Sequence, residues 1–316
     1  MFKRASLALL LVAALLLGGC ATAEKTPVRL AVKIAFIKGP TGMGAARLME
    51  QNEAGLAANA YEIELASAPD AITGKLITGE LDMAALPTNA IALLNARTNG
   101  QIQALAVNTL GVLYLLEKGD SVNSLADIAG KTIVAGVKGS TQEAVATYLF
   151  DEAEVTYVAE HAEAVAQAVA GKADLVMLPE PFVTSLLAQD AGFRIALDIT
   201  AEWEAKADAM LPMGGIAVRR DFAEANPEAV AAFLAEYAES VAYVNENPAV
   251  AAEWIGHYEI MQAAVAKQAI PRSNMVCLTG DEMKTALESF YNILMESHPA
   301  LIGDKLPDAA FYYAAP

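Results

Sequence analysis

The hydrophobic positions of this chain change period along its length. Residues 28–36 read as a strand, a Gly-rich loop covers 38–44, and helical spacing runs on to about Gln51. Residues 61–65 give a second strand, 69–78 a short helix, and 81–86 an apolar run that reads as a buried strand. Pro87-Thr88-Asn89 then opens another helix. The pattern restarts with a strand at 111–118, a turn-helix from Ser124 and a strand reaching Val134. Gly139-Ser140-Thr141 opens a helix through Phe150, and 155–158, 162–170 and 174–178 add strand, helix and strand. A further strand covers 214–219, after which the chain reads as helical. Alternation of this kind predicts an α/β protein whose sheets are mostly parallel and covered by helices. After Pro227, the residues Val230, Phe233, Leu234, Tyr237, Val241 and Val244 recur at three- and four-residue steps, the mark of one buried helical stripe. Asn226 and Pro227 supply its N-cap and first position.

The start of the chain follows a different rule. Phe2-Lys3-Arg4 is basic, 7–17 is almost unbroken aliphatic, and Leu17-Gly18-Gly19-Cys20 closes the run. That run is too short to span a bilayer comfortably and reads as an export signal. Small residues before a cysteine resemble the lipobox of bacterial lipoproteins. The resemblance implies a signal peptide at 1–19, lipidation of Cys20, a tether at 20–27 and a body held outside the cytoplasmic membrane, in a periplasm or on the cell surface. No pool of ATP or NAD exists there. Cleavage would remove two cations and no acid, moving the formal charge from −17 to −19. Such acidity argues against nucleic acid and against electrostatic docking on anionic lipid, while leaving room for a local anion site. With Cys20 acylated, Cys277 has no partner and reads as a buried small hydrophobe.

The order of pieces resembles the extracellular solute-binding proteins of ABC importers, in the group that binds nitrate, aliphatic sulfonates, taurine and thiamine-precursor pyrimidines. The segments that carry the resemblance are Gly79-Glu80-Leu81-Asp82-Met83-Ala84-Ala85, the 124–134 block, Gly171-Lys172-Ala173-Asp174 leading into Pro179-Glu180-Pro181, and Gly214-Gly215-Ile216-Ala217-Val218-Arg219-Arg220-Asp221-Phe222. It covers essentially the whole chain after the signal. It implies a two-lobed periplasmic-binding-protein fold, with one lobe at 28–111 and 217–316, the other at 112–216, and two crossing strands as a hinge. It also implies a monomer that clamps a small-molecule ligand between its lobes and passes it to a membrane permease driven by a cytoplasmic ATPase, with no cofactor.

Ligands of open parallel sheets sit beyond the carboxyl ends of strands, at helix N-termini. Three loops combine these features: Lys38-Gly39-Pro40-Thr41-Gly42-Met43-Gly44, Pro87-Thr88-Asn89 and Gly139-Ser140-Thr141. Lys38 is their one clear cation. Each loop has two readings, ligand contact and helix cap, and the cap reading is strongest for Ser140, because Glu143 three residues on completes a capping box. Glu180 either accepts from an amine of the ligand or braces its lobe. Met213 and Gly214 lie at the second crossing and have two readings, lining the hinge side of the pocket or, for the glycine, serving backbone geometry alone. Arg272, in Pro271-Arg272-Ser273-Asn274, reads first as part of a solvated loop and second as an anion partner.

Two motifs mislead. Gly130-Lys131-Thr132 imitates the end of a P-loop, but Leu125 stands where its first glycine belongs and a strand follows. Gly42-Met43-Gly44 imitates a dinucleotide fingerprint with Arg47 in place of the third glycine, although Glu64 stands near the usual ribose position. His161, His257 and His298 are far apart, and no hydrolase elbow or H-E-x-x-H is present. Two rivals to transport remain: an exported enzyme on the same fold, and a tethered ligand-binding sensor.

Overall fold

The described residues of the computed structural model are 29–315; the signal segment, Cys20 and the tether lie outside them. The first sheet begins with β1 (Ala31–Ile37), α1 (Pro40–Met43), α2 (Ala46–Glu53), β2 (Ala60–Ala66), α3 (Asp70–Thr78), β3 (Met83–Pro87), α4 (Thr88–Arg97) and β4 (Ile102–Thr109). The chain then crosses into a second sheet. This contains β5 (Leu113–Lys118), β6 (Thr132–Gly136), α5 (Thr141–Leu149), β7 (Glu154–Val158), α6 (His161–Val169), β8 (Leu175–Pro179), α7 (Phe182–Gln189), β9 (Phe193–Asp198) and α8 (Ile199–Ala207). It returns through β10 (Gly214–Arg219), α9 (Arg220–Ala225), α10 (Pro227–Glu246), α11 (Pro248–His257), α12 (Ala263–Ala269), β11 (Met275–Leu278) and α13 (Gly280–Ser297). No described helix is long and apolar enough to cross a membrane.

The strand orders are β11-β4-β10-β3-β1-β2 and β7-β6-β8-β5-β9. The two lobes and the α/β class match the sequence expectation, and the pairing corrects one detail of it. β1 is parallel to β2 and β3, and β6 to β7 and β8, because helices carry the chain back over the sheet. The strands beside the crossings, β10, β4, β5, β9 and β11, pair antiparallel. A strand that arrives from the other lobe has no covering helix to fix its direction. Pairing in the first sheet begins at Gly214, whereas the sequence division falls after 216.

Three strands escape the periodicity. β4 is buried at all eight positions, so its apolar run has no two-residue alternation to announce it. β9 is half-buried at three successive positions, and β11, only four residues long, interrupts a region that reads as helical. The stripe of α10 is as expected for Val230, Phe233, Tyr237, Val241 and Val244, all buried; each such side chain contributes about 1.5–3 kcal/mol over leaving it exposed. Leu234 is only half-buried at its margin. Asn226 does not cap α10 with its side chain; its Nδ2 donates to the Phe222 carbonyl at the end of α9 (3.0 Å). Cys277 is half-buried, and burial pushes its thiol up to about 11.

One hydrophobic core runs through both lobes, joining Leu86 and Phe290 to Leu113, Met177 and Trp203. Trp203 of α8 meets Phe290 of α13 edge-on, with ring centroids 5.7 Å apart. The outer faces of the sheets have their own cores, around Phe36, Phe233 and Tyr237 in one lobe and Leu116, Val176 and Leu186 in the other.

Candidate functional site

The registers place one edge of each sheet in a single row. Pro87 lies opposite Gly214, Gly214 opposite Thr109, and Thr109 opposite Met275, so the carboxyl ends of β3 and β4 share an edge with the starts of β10 and β11. In the second sheet Leu113 lies opposite Pro179 and Tyr114 opposite Asp198. Both crossings leave from these edges, and the edges meet. Thr141 at the start of α5 donates its hydroxyl to Asn89 Oδ1 at the start of α4 (2.9 Å). Arg272, in the turn after α12, donates from Nε to Glu180 Oε1 (2.5 Å) and from Nη2 to Thr184 Oγ1 (2.6 Å). The Tyr114 hydroxyl donates to the Arg272 carbonyl (3.1 Å), and Asn274 Nδ2 to that of Gly111 (2.6 Å).

The residues singled out by sequence fall into separate groups here. Thr41 sits in the four-residue α1, where its hydroxyl donates back to the Ile37 carbonyl (3.2 Å). Its own carbonyl accepts from Asn108 Nδ2 (3.1 Å), whose amide also meets the buried Tyr237 hydroxyl. Gly214 closes this group: a Cβ there would stand 2.6 Å from Thr41 Cγ2 and 2.7 Å from Asn108 Oδ1, so only glycine lets the three approach. Gly39 and Gly42 are buried beside them, Lys38 is solvent-exposed, and Met43 is fully buried in the outer core of the first lobe.

Thr88 is 0 % exposed. Its hydroxyl donates to the Pro212 carbonyl (2.6 Å), its N–H to that of Met213 (3.1 Å), and its carbonyl accepts from Tyr291 (2.8 Å). It therefore ties β3 to the second crossing, with Pro87 and Met213 half-buried alongside. Ser140 does not form the expected capping box. Its hydroxyl donates to the Val137 carbonyl (2.6 Å), and Glu143 accepts from the N–H of the exposed Gly139 instead of that of Ser140 (2.5 Å). Among the described residues, the N–H groups of Thr141, Gln142 and Glu143 have no hydrogen-bond partner, as the first turn of a helix leaves them.

Glu180 takes the bracing role, and it braces two elements. It accepts from the N–H and hydroxyl of Thr184 at the head of α7 and from Arg272 across the lobes. Arg272 corrects the solvated-loop reading, since its guanidinium joins Glu180 and Thr184 across the lobes. Burial, with Asp198 and Glu180 nearby, raises the Tyr114 pKa, so the phenol stays protonated and donates. The imitation P-loop residue Lys131 donates to Ser121 Oγ (3.0 Å), and Glu64 pairs with Lys75 (2.6 Å).

Sequence reasoning missed Asn108, Tyr114, Gln142, His161 and Thr184. Asn108 was the most accessible of these, a polar residue near the end of an apolar run. His161 begins α6, outside the three candidate loops. Its ring lies over Gly136 and 5.1 Å from Phe182 between centroids. Among the described residues, no group of three or more His, Cys, Asp or Glu side chains is placed to share a metal ion.

A family model described as menaquinone biosynthesis matches residues 49–296. No curated protein sequence matches the chain. Among solved structures, an ABC transporter protein from Parabacteroides distasonis aligns with a TM-score of 0.78 at 20 % identity, covering 90 % of this chain and 99 % of that one. The periplasmic aliphatic sulphonate binding protein SsuA from Escherichia coli gives 0.70 at 18 % identity, covering 87 % and 94 %. The desulfurization enzyme DSZB gives 0.58 at 13 % identity, covering 85 % and 92 %. The same two-lobed fold thus serves proteins described as binders and one described as an enzyme.

Proposed function

The chain belongs to the menaquinone biosynthesis family, and with its cleft geometry as the second premise we propose that it is the solute-binding component of an ABC importer. In this reading it captures a small organic molecule with an anionic or other acceptor group between its lobes and delivers it to a membrane permease without converting it. The observation that carries the proposal is the meeting of the two sheet edges, bridged by Asn89–Thr141 and by Arg272–Glu180. Groups from both lobes close over one region, as a clamp requires. The edge offers glycines, helix N-termini and hydroxyls, which suit a sulfonate or carboxylate.

Cys20 belongs to the same proposal as the lipid attachment point, with transport of a solute outside the cytoplasmic membrane by a monomer. Cys20→Ala is expected to abolish lipid labelling and membrane retention while leaving ligand binding intact. Retention of that variant on membranes washed in high salt would refute the anchor.

The family description and the resemblance of fold to DSZB favour one second reading, an enzyme acting on the molecule it encloses. Mass spectrometry of what co-purifies with the protein, before and after prolonged incubation with the identified compound, separates the two. A compound recovered unchanged supports capture and delivery. A product accumulating beyond one equivalent of protein overturns it in favour of catalysis.

A further inference from the structure

Gln142 is the second residue of α5, next to the Thr141 that reaches the other lobe, and it is 8 % exposed. Its amide nitrogen lies 3.2 Å from His161 Nε2 at the head of α6. With the amide nitrogen facing it, Nε2 accepts and the imidazole carries its proton on Nδ1, which like Gln142 Oε1 is buried with no hydrogen-bond partner among the described residues. Burial lowers the His161 pKa, which keeps the ring neutral and able to accept. The ring is held on two further sides, by Phe182 and by Gly136, where a Cβ would stand 2.0 Å from Nδ1. Turning the amide over requires the ring proton on Nε2, so the Nδ1 tautomer is itself part of the inference. Gln142 Oε1 is then left buried with no hydrogen-bond partner among the described residues. A buried acceptor without a donor is costly, and such an atom at a cleft edge marks where a ligand donor belongs.

We propose that Gln142 Oε1 is a specificity-determining acceptor of the cleft, aimed by His161 as a positioning residue, and that the ligand brings an N–H or O–H donor to it. This rests on the solute-binding reading and narrows it. The free N–H groups at the start of α5 suit the ligand's oxyanion or carbonyl, while Gln142 requires a donor beside it. The ligand class is amphoteric or amide-bearing. An oxyanion offering only lone pairs leaves Oε1 unpaired.

The test uses two matched probe pairs, ethanesulfonate with 2-aminoethanesulfonate and benzoate with benzamide. Their affinities are measured by calorimetry on the full mature chain and on Gln142→Leu, Gln142→Glu and His161→Ala. In the wild type the donor-bearing member of each pair that binds is expected to be at least about tenfold tighter. That ratio is expected to fall towards one in Gln142→Leu and His161→Ala and to persist in Gln142→Glu, which keeps an acceptor oxygen. Nitrogen-15 spectra of the wild-type His161 ring give an independent reading, with the proton expected on Nδ1. An unchanged ratio in Gln142→Leu, a preference for the donor-free member in wild type, or a proton on Nε2 overturns this inference alone. Failure of both donor-bearing probes to bind the wild type overturns this inference, and the solute-binding reading falls only if no small molecule co-purifies with the protein either.

Discussion

Arg272→Ala should loosen the closed arrangement of the lobes more than it harms either lobe. The Glu180 side chain is 0 % exposed and that of Arg272 28 %. Removing one partner of a fully buried ion pair costs about 3–5 kcal/mol, because a carboxylate is left without its counter-charge. Two features lower that figure here. Arg272 is partly solvated, so its charge is screened, and Glu180 keeps both donors from Thr184. A loss of about 2 kcal/mol follows. Because the pair joins two lobes, the loss falls on the closed form, since opening rehydrates Glu180. At 1.4 kcal/mol per tenfold, the equilibrium moves about thirtyfold towards open conformers. The assay is small-angle scattering of wild type, Arg272→Ala and Glu180→Gln, with the double variant completing a thermodynamic cycle by thermal denaturation. The Tyr114 contact serves as an internal control, because it uses the Arg272 carbonyl and survives truncation. Scattering curves that superpose for all four proteins, or single-variant effects that simply add, would show that the pair does not hold the lobes together.

Three further outcomes follow from named contacts. Thr88→Val should lower stability by about 1–3 kcal/mol in urea titrations, because the Pro212 carbonyl loses its buried donor; a loss of ligand affinity with unchanged stability would return Thr88 to the binding surface. Gly136→Ala should destabilise by about 1–3 kcal/mol through overpacking against His161 and be relieved in the double variant with His161→Ala; equal losses in the two backgrounds would contradict the contact. Acidification should weaken the fold in two stages. The lowered His161 pKa means that the unfolded chain binds the proton first, so stability is present above about pH 6.5 and lost below it. Burial alone would raise the Glu117 pKa, but Ser121, the Val122 N–H and Arg194 together hold it below 4.5, so its contribution is lost as pH falls through that lower value. Melting curves of His161→Ala and Glu117→Gln should each lack one stage, and a variant that retained both would refute the assignment.

The sequence carried the architecture because strand and helix periods are local properties. The stripe from Val230 to Val244, the break at Pro227 and the restart at the second lobe all follow from neighbours a few residues apart. β4 and β11 were hidden for a physical reason: strands wholly inside a sheet, or very short, lose the two-residue alternation that marks half-buried ones. The loops of the site were legible as strand ends meeting helix starts, but the direction of each hydroxyl was not. Thr88 and Ser140 turn to carbonyls of Pro212 and Val137, and only the folded chain brings Pro212 near Thr88. Arg272 and Glu180 are far apart along the chain, and no spacing rule links a residue after α12 with one after β8. Gln142 looked like an ordinary second-position helix residue until His161 was placed beside it.

The position of β4 also constrains how the protein can be made. Its neighbours in the sheet are β10 and β11, both synthesised after the whole second lobe. While the chain emerges, eight residues destined for complete burial have hydrogen-bonding edges open on both sides. The second lobe is contiguous and can acquire its full sheet early; the first must wait for the last quarter of the chain. Shielding of Ile102–Thr109 during synthesis is therefore a requirement of the topology itself, and a chain truncated before Met275 would retain a permanently incomplete edge.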